Sequence, residues 1–567
     1  MPTLPDLVFL VLVALLVGTA GVALTQSDGD LFAHLRQGDV IRAAGRVPHE
    51  SLLGVVTAGD DAVAPAWLAE LLLAMVARVA GLGGVVVFAA LTIAGAHAVV
   101  AGLLRRAALP LTWVLAGTAG SILLGSTHWL ARPHLASLLG AALLVSVLES
   151  PVPRRWLLAA PLMLGWANLH GGFAYGLALL MAYAAGDAWE AWRARPNRAA
   201  LARARWRGLA AVVGALATLA TPYGLALHRA VWRSLRDPAL AAAMDEARPP
   251  GFAEPGDVLF LGVVLAVIAW AVRRPPRLRR TTLLVVLLSI AAGLASGRHI
   301  ALFAVTGWPL LVRAAAPRGF GTVLGAVARR EAQACAGWWA STGAIGLALG
   351  TLLWRGRPPV RVDVDPTRFP VAAVAWLRCG ADEDPARVRL FTPWTWGGYL
   401  VYGWPGARAF VDPLVFGPDD LAAYGRVIGA TPAALRELDG WGVTTVLAPA
   451  RSALADLLPQ SGAWNLAYRD GTAVVFSRRN ASTGTTVAAG SSSCGTWPSA
   501  SNRTTRLPTM SRAKRSASVG GISRSRPPQR TSVGIRSVRT ASVSATRGSA
   551  ENRASNAVRF PSRSARS

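Results

Sequence analysis

The chain has 567 residues, 53% of them hydrophobic and only 16% charged, with a mean hydropathy of +0.40. This excludes an ordinary soluble domain and fits a polytopic membrane protein. The formal net charge of +28 is uneven: roughly half lies in residues 481–567, where Glu551 is the one acidic residue, and the remainder is loop arginine. Cys335, Cys379 and Cys494 are far apart and fit no metal-ligand spacing.

In chain order, a first apolar run begins near Leu7 without the basic start or small-residue cleavage site of a signal peptide, and reads as an uncleaved helix. A polar stretch, residues 26–51, follows and carries Asp28 and Asp30 at the mouth of that helix. Carboxylates there are costly unless they face water, a partner or a substrate. Capping offers a plainer account: Asp28 and Gly29 closing the first helix, Asp30 as the N-cap of a helix over residues 31–44. Residues 66–80, with Glu70 and Arg78, suit an interfacial helix. Apolar runs then fall at 83–104, 109–125, 135–148, 156–169, 173–189, 209–221, 258–272, 282–295, 300–312 and 338–353. With the first, these make about eleven spans.

The positive-inside rule orients them. If 66–80 does not cross and the N-terminus is cytoplasmic, the arginines near 105–106, 154–155, 193–207, 273–280 and 313–330 all fall inside. The opposite, external face then collects Asp28, Asp30, His34, His49, Glu70, Arg132, His134, Asn168, His170, the Thr221–Gly224 turn, Arg298 and His299. Arginine was the only input, yet the acidic pair and most histidines gather on one surface.

The chemistry of these groups points one way. Asp28 and Asp30 suit a general base or a share in a divalent-cation site. Arg132, His134, Arg298 and His299 suit a phosphate group, although an arginine at an outer helix end also snorkels to lipid phosphates. Asn168 and His170, before Gly171 and Gly172, suit sugar hydroxyls or close a helix end. His34 and Glu70 join them as substrate-facing polar groups. Trp67, Trp129 and Trp166 read as an interfacial belt.

Residues 363–478 change character, with mixed charge, Pro and Gly breaks and alternating helix and strand signals. Helices are expected at 369–377, 421–428 and 433–438, and strands at 388–391, 409–411, 443–447, 464–468 and 473–476. The segments from Trp394 to Tyr399 and from Phe410 to Pro413 read as tight turns, domain packing, glycan contacts or a lid. Beyond Asn480 the Ser/Arg-rich sequence lacks apolar periodicity and is expected to be disordered, without a motif for specific nucleic-acid recognition. The fold class is therefore mainly α: a transmembrane bundle over 1–355 with an external loop at 27–82, a small external α/β domain at 356–479, and the 480–567 tail.

Asp28-Gly-Asp30 followed by His34, Gly38 and Gly45-x-x-Pro48, then Trp67-Leu-x-Glu70, resembles the first external loop of the GT-C superfamily of integral membrane glycosyltransferases. The Arg-Pro-His134, Asn168-Leu-His170-Gly-Gly, Pro-Tyr-Gly224, Trp396-Gly-Gly-Tyr399-Leu and Phe410-Val-Asp412 pieces resemble an uncharacterised bacterial branch of it. The resemblance implies transfer of a sugar from a polyprenyl-phosphate donor, usually with inversion, to a glycan, lipid or protein acceptor outside the bacterial inner membrane. Asp30 or Asp28 then matches the loop carboxylate that acts as base or orients the acceptor, and Mg or Mn is a possible cofactor. His49-Glu50-Ser51 and Asp412-Pro413 depart from the branch pattern. The alternative is a non-catalytic glycan- or lipid-binding protein or a translocator.

Overall fold

The computed structural model describes residues 3–479 except 28, 194–196, 238–247, 253, 274–277, 317–359, 381–384 and 415–416. The expected span at 338–353 and the 480–567 tail lie outside these residues, as does Asp28.

The first helix, α1 (Leu4–Thr19), passes through a short α2 (Gly21–Gln26) into α3 (Asp30–Ala44). Gly45 ends α3 in the left-handed region at φ 64°, and its N–H donates to the Ile41 carbonyl, a stop that glycine makes at low steric cost. Gly29 rather than Asp30 precedes α3, and no side chain caps it. Asp30 sits within the first helical turn, so its carboxylate is not spent as the expected N-cap.

α4 (Trp67–Arg106) is broken at Gly81, whose φ of 62° and ψ of −164° are non-helical. The break falls between the expected interfacial segment and the expected span. Then come α5 (Leu111–Gly125), α6 (Leu135–Leu148), α7 (Ala159–Leu169), α8 (Phe173–Arg193), α9 (Arg198–Ala217), α10 (Leu225–Arg236), α11 (Pro255–Arg273), α12 (Arg280–Ala295), α13 (Ile300–Val305) and α14 (Gly307–Ala315). Among the described residues, α4 and α11 are long and apolar enough to cross a membrane, while α1, α6 and α12 are apolar but shorter. The expected helix at 300–312 is interrupted at Thr306. α10 was not anticipated; Trp232 and Leu235 are exposed on it beside Arg233 and Arg236.

Far from the α7–α8 turn, charged groups are buried together. The Arg207 guanidinium donates to Asp187 at 3.0 Å and lies 3.8 Å over the Trp156 ring. The Tyr183 hydroxyl donates to Glu149 at 2.9 Å, and Arg313 donates to the other Glu149 oxygen at 2.7 Å. Mutual pairing is what makes such burial tolerable.

The C-terminal part holds a four-stranded sheet in the order β1-β2-β4-β3, with β1 (Leu390–Phe391) parallel to β2 (Thr445–Pro449). β4 (Ala473–Arg478) runs antiparallel to both β2 and β3 (Trp464–Arg469). Helices α15 (Val371–Gly380), α17 (Pro418–Ile428), α18 (Ala434–Gly440) and α19 (Ala453–Gln460) accompany it. Phe391, Phe410, Val427, Leu438, Val446, Leu454 and Phe476 belong to its core. The expected strand at 409–411 pairs not with the sheet but with the first loop: Gly54 bridges Ala409, and the Val56 N–H donates to the Phe410 carbonyl.

Of the open readings of the segment from Trp394, domain packing is the one seen: Trp394–Gly403 is a helix, α16, packed on α3. Its glycines serve close approach: a Cβ on Gly398 would lie 2.1 Å from the Gly29 carbonyl oxygen, and one on Gly29 would lie 2.2 Å from that of Thr395. Phe32 fills the remainder of the joint, edge-on to Phe369 and Tyr399 at 5.1 and 5.3 Å. The Gln26 amide fixes the entry to α3, donating to the Asp363 carbonyl and accepting from the Asp365 N–H, each at 2.7 Å. Gly398→Ala must displace backbone and is expected to cost about 2 kcal/mol. Thermal unfolding should separate it from Gly425→Ala, where nothing lies within 4 Å of an added Cβ.

Candidate active site at the loop ends

α3 carries Asp30 and His34 at i and i+4, hence on one face. Asp30 pairs with Arg132 at 3.1 Å, the two side chains being 27% and 11% exposed. Arg132 is aimed from the turn between α5 and α6, where the neighbouring Ala131 N–H donates to the Leu24 carbonyl at 2.7 Å. His34 Nδ1 lies 3.0 Å from Glu70 Oε1. Glu70 belongs to the first turn of α4, and α3 packs there so tightly that a Cβ on Gly38 would lie 2.0 Å from the Glu70 carbonyl.

Five of the chain's eight histidines, His34, His128, His134, His170 and His299, converge here. His128 and His134 lie with ring centroids 4.4 Å apart. His170 lies in the fields of His34, Arg298, His128 and His299. His128 was not singled out in the sequence; its spacing from His134 within one turn between two helices was the available signal.

Hydrogen bonds assign the tautomers. The Gly172 N–H donates to His170 Nδ1 at 3.0 Å. Trp166 Nε1–H donates to Ser137 Oγ at 2.8 Å, leaving the Ser137 hydroxyl to donate to the same Nδ1 at 2.7 Å. The proton of neutral His170 is therefore on Nε2. His134 Nε2–H donates to the His128 carbonyl at 3.1 Å, and His299 Nδ1–H to that of Ala292 at 3.3 Å.

Burial, then neighbouring cations, lowers the pKa of His170 to about 3 and that of His299 to about 4. The same causes hold His134 well below the ordinary imidazole value. These rings are neutral at pH 7, so fixed positive charge comes from Arg132 and Arg298 while the imidazoles supply oriented donors and acceptors.

Other predicted residues are engaged elsewhere. Asn168 Oδ1 accepts from Trp67 Nε1 at 3.1 Å, and its Nδ2 donates to the Leu164 and Ala220 carbonyls. Its amide braces α7 against α4 and the turn after α9 rather than presenting itself to a sugar. Tyr223 ties down the first loop, donating to the Pro48 carbonyl at 2.6 Å and accepting from the Ala64 N–H at 3.1 Å. Asp412, buried at 2% exposure, accepts from Ser51 Oγ at 2.7 Å, the Leu53 N–H at 3.2 Å and the Leu414 N–H at 2.9 Å. It stitches the loop to the C-terminal part.

A divalent cation does not suit the described donor set. Asp30 and Glu70 are turned to Arg132 and His34, arginine dominates the surrounding charge, and no group of three or more metal-ligating side chains occurs among the described residues. We therefore derive no step through a metal.

No family model matches the chain, and no curated protein does. It is similar to solved structures. One is the archaeal oligosaccharyltransferase AglB from Archaeoglobus fulgidus in complex with an inhibitory peptide and a dolichol-phosphate: TM-score 0.47, 12% identity, 84% of this chain and 74% of that chain covered. Another is ArnT from Cupriavidus metallidurans bound to undecaprenyl phosphate: TM-score 0.43, 15% identity, 84% and 99% covered.

Proposed function

We propose that this chain is a membrane glycosyltransferase that moves a sugar from a polyprenyl-phosphate donor to an acceptor at the external face of a bacterial inner membrane. The observation that carries the reading is the convergence of Arg132, Arg298, His134, His170 and His299 beside Asp30 and His34, at one end of a set of apolar helices. A lipid with an anionic headgroup meets both requirements of such a place: apolar surface for its tail, and arginine forks with oriented imidazole donors for its phosphate.

The reaction is a single displacement with inversion. The acceptor attacks the anomeric carbon while the bond to the phosphate oxygen breaks, and the developing phosphate charge falls to Arg132, Arg298 and the His170 Nε2–H. A phosphate leaves without protonation, so no general acid is required. Asp30 holds Arg132 in position and borders the acceptor's approach. Residues 1–355 form the transmembrane part in this reading, and 356–479 the external domain that clasps α3.

The experiment is a panel of undecaprenyl-phosphate monosaccharides offered to the purified protein with a membrane lipid extract, read as released undecaprenyl phosphate. Release from at least one donor is expected. Binding of undecaprenyl phosphate without release from any would favour a non-catalytic lipid-binding protein or translocator.

A further inference from the structure

Taking the proton from the acceptor is the task for which Asp30 is least suited. Its carboxylate is committed to Arg132, and an ordinary carboxylate is a weaker base than imidazole by about two pKa units. We propose that His34, oriented by Glu70, is the proton acceptor for the incoming nucleophile, a His–Glu dyad within the transferase site and dependent on that reading. His34 lies one helical turn from Asp30 on the same face of α3.

Geometry assigns the roles. A carboxylate only accepts, so the 3.0 Å contact with Glu70 Oε1 places the His34 proton on Nδ1 and leaves the Nε2 lone pair for a substrate. Among the described residues His34 makes no other side-chain hydrogen bond, and at 16% exposure the ring remains accessible. Glu70 is 3% exposed, and its Oε2 is buried with no partner. A buried carboxylate whose other oxygen is unpartnered gains most when the ring it faces becomes an imidazolium. Gly38, one turn beyond His34, lets the α3 backbone close on Glu70 and fixes the pair. The groups facing His34 are Asp30 on its own helix, Glu70 on α4 and neutral His170 from the α7–α8 turn, with Arg132 beyond Asp30.

The step balances. The acceptor O–H bond breaks, its proton passes to His34 Nε2, and its electron pair forms the new bond to the anomeric carbon. The bond from that carbon to the phosphate oxygen breaks, and its electrons leave with the phosphate. Glu70 stays a carboxylate throughout, acting as a positioning residue, and the imidazolium later returns its proton to water.

The test compares wild type, His34→Ala, Glu70→Gln and Asp30→Asn in undecaprenyl phosphate release, with binding of undecaprenyl phosphate as a control for an intact site. His34→Ala should lose at least about 100-fold in kcat, with binding within about threefold and partial rescue by added imidazole. Glu70→Gln should move the acidic limb of the kcat–pH profile to lower pH, which a purely structural loss would not do. If His34→Ala does not fold, His34→Gln and the Glu70→Gln profile decide the matter. An active wild type with His34 variants within threefold of it, or an unmoved Glu70→Gln profile, overturns the dyad alone. A wild type that releases nothing from any donor overturns the transferase reading and the dyad with it.

Discussion

Arg132→Ala should lower kcat for sugar transfer by about 10²- to 10³-fold, the range seen when one preorganised donor to a developing oxyanion is removed. Three features of its setting support so large an effect. The backbone beside it is pinned to Leu24 through the Ala131 N–H, so the side chain starts from a fixed point. At 11% exposure the guanidinium is shielded from the water that would weaken its field. Asp30 engages it at 3.1 Å, restricting the fork before any donor arrives. Arg132→Lys separates charge from geometry: it keeps the positive charge but loses the planar two-pronged donor. It should recover binding of undecaprenyl phosphate more fully than kcat. Steady-state release of undecaprenyl phosphate, with kcat and KM resolved, checks this; a variant that raises KM alone would make Arg132 a ground-state anchor rather than a stabiliser of the leaving phosphate.

That these side chains lie near one another was expected from the charge pattern of the sequence. Assigning the arginine-rich loops to one side leaves the other helix ends to share the opposite one, and among the described residues Asp30, His34, Glu70, Arg132, His134, His170 and His299 lie close enough to pair or to feel one another's charge. Which groups pair was not legible. Capping was the plainer alternative for Asp30 because Asp commonly caps, whereas Gly29 precedes the helix, in close contact with α16. Asn168 read as a sugar contact because an amide offers both donors and an acceptor; the same versatility let Trp67, Leu164 and Ala220 consume it. Gly397 and Gly398 made a turn one of the open readings of the segment from Trp394 to Tyr399, since glycine weakens helices. Tertiary packing overrode that propensity, because Gly398 must face the Gly29 carbonyl. Loop-to-domain stitches such as Ser51 to Asp412 are 361 positions apart, beyond the reach of any local pattern.

Lowering the pH from 7.5 to 5 should destabilise the folded protein by about 4 kcal/mol through His170 and His299 alone, about 2 kcal/mol each. The sign follows from where the protons bind. Burial and neighbouring cations lower the two pKa values to about 3 and about 4, against 6.5 for a free imidazole. Between those limits the unfolded chain takes up protons that the folded site refuses. The stability these rings contribute is therefore complete above about pH 6.5 and declines as the pH falls toward the folded values. His134, shifted in the same direction by burial and by His128, Arg132 and His170, adds to the loss. The two contributions add despite the proximity of the rings, because at pH 5 both remain neutral in the fold and the protons are gained by the unfolded chain. Denaturation midpoints in detergent at the two pH values check the size, and His299→Gln should reduce the loss by about 2 kcal/mol. An anion seated among the rings reverses their preference, since a negative charge favours imidazolium. Undecaprenyl phosphate should therefore bind with proton uptake at pH 5 and restore part of the lost stability there. The same ligand with His170→Asn should take up fewer protons. Calorimetry in two buffers of different ionisation enthalpy measures the difference and tells whether the phosphate sits among these rings or only at the arginines.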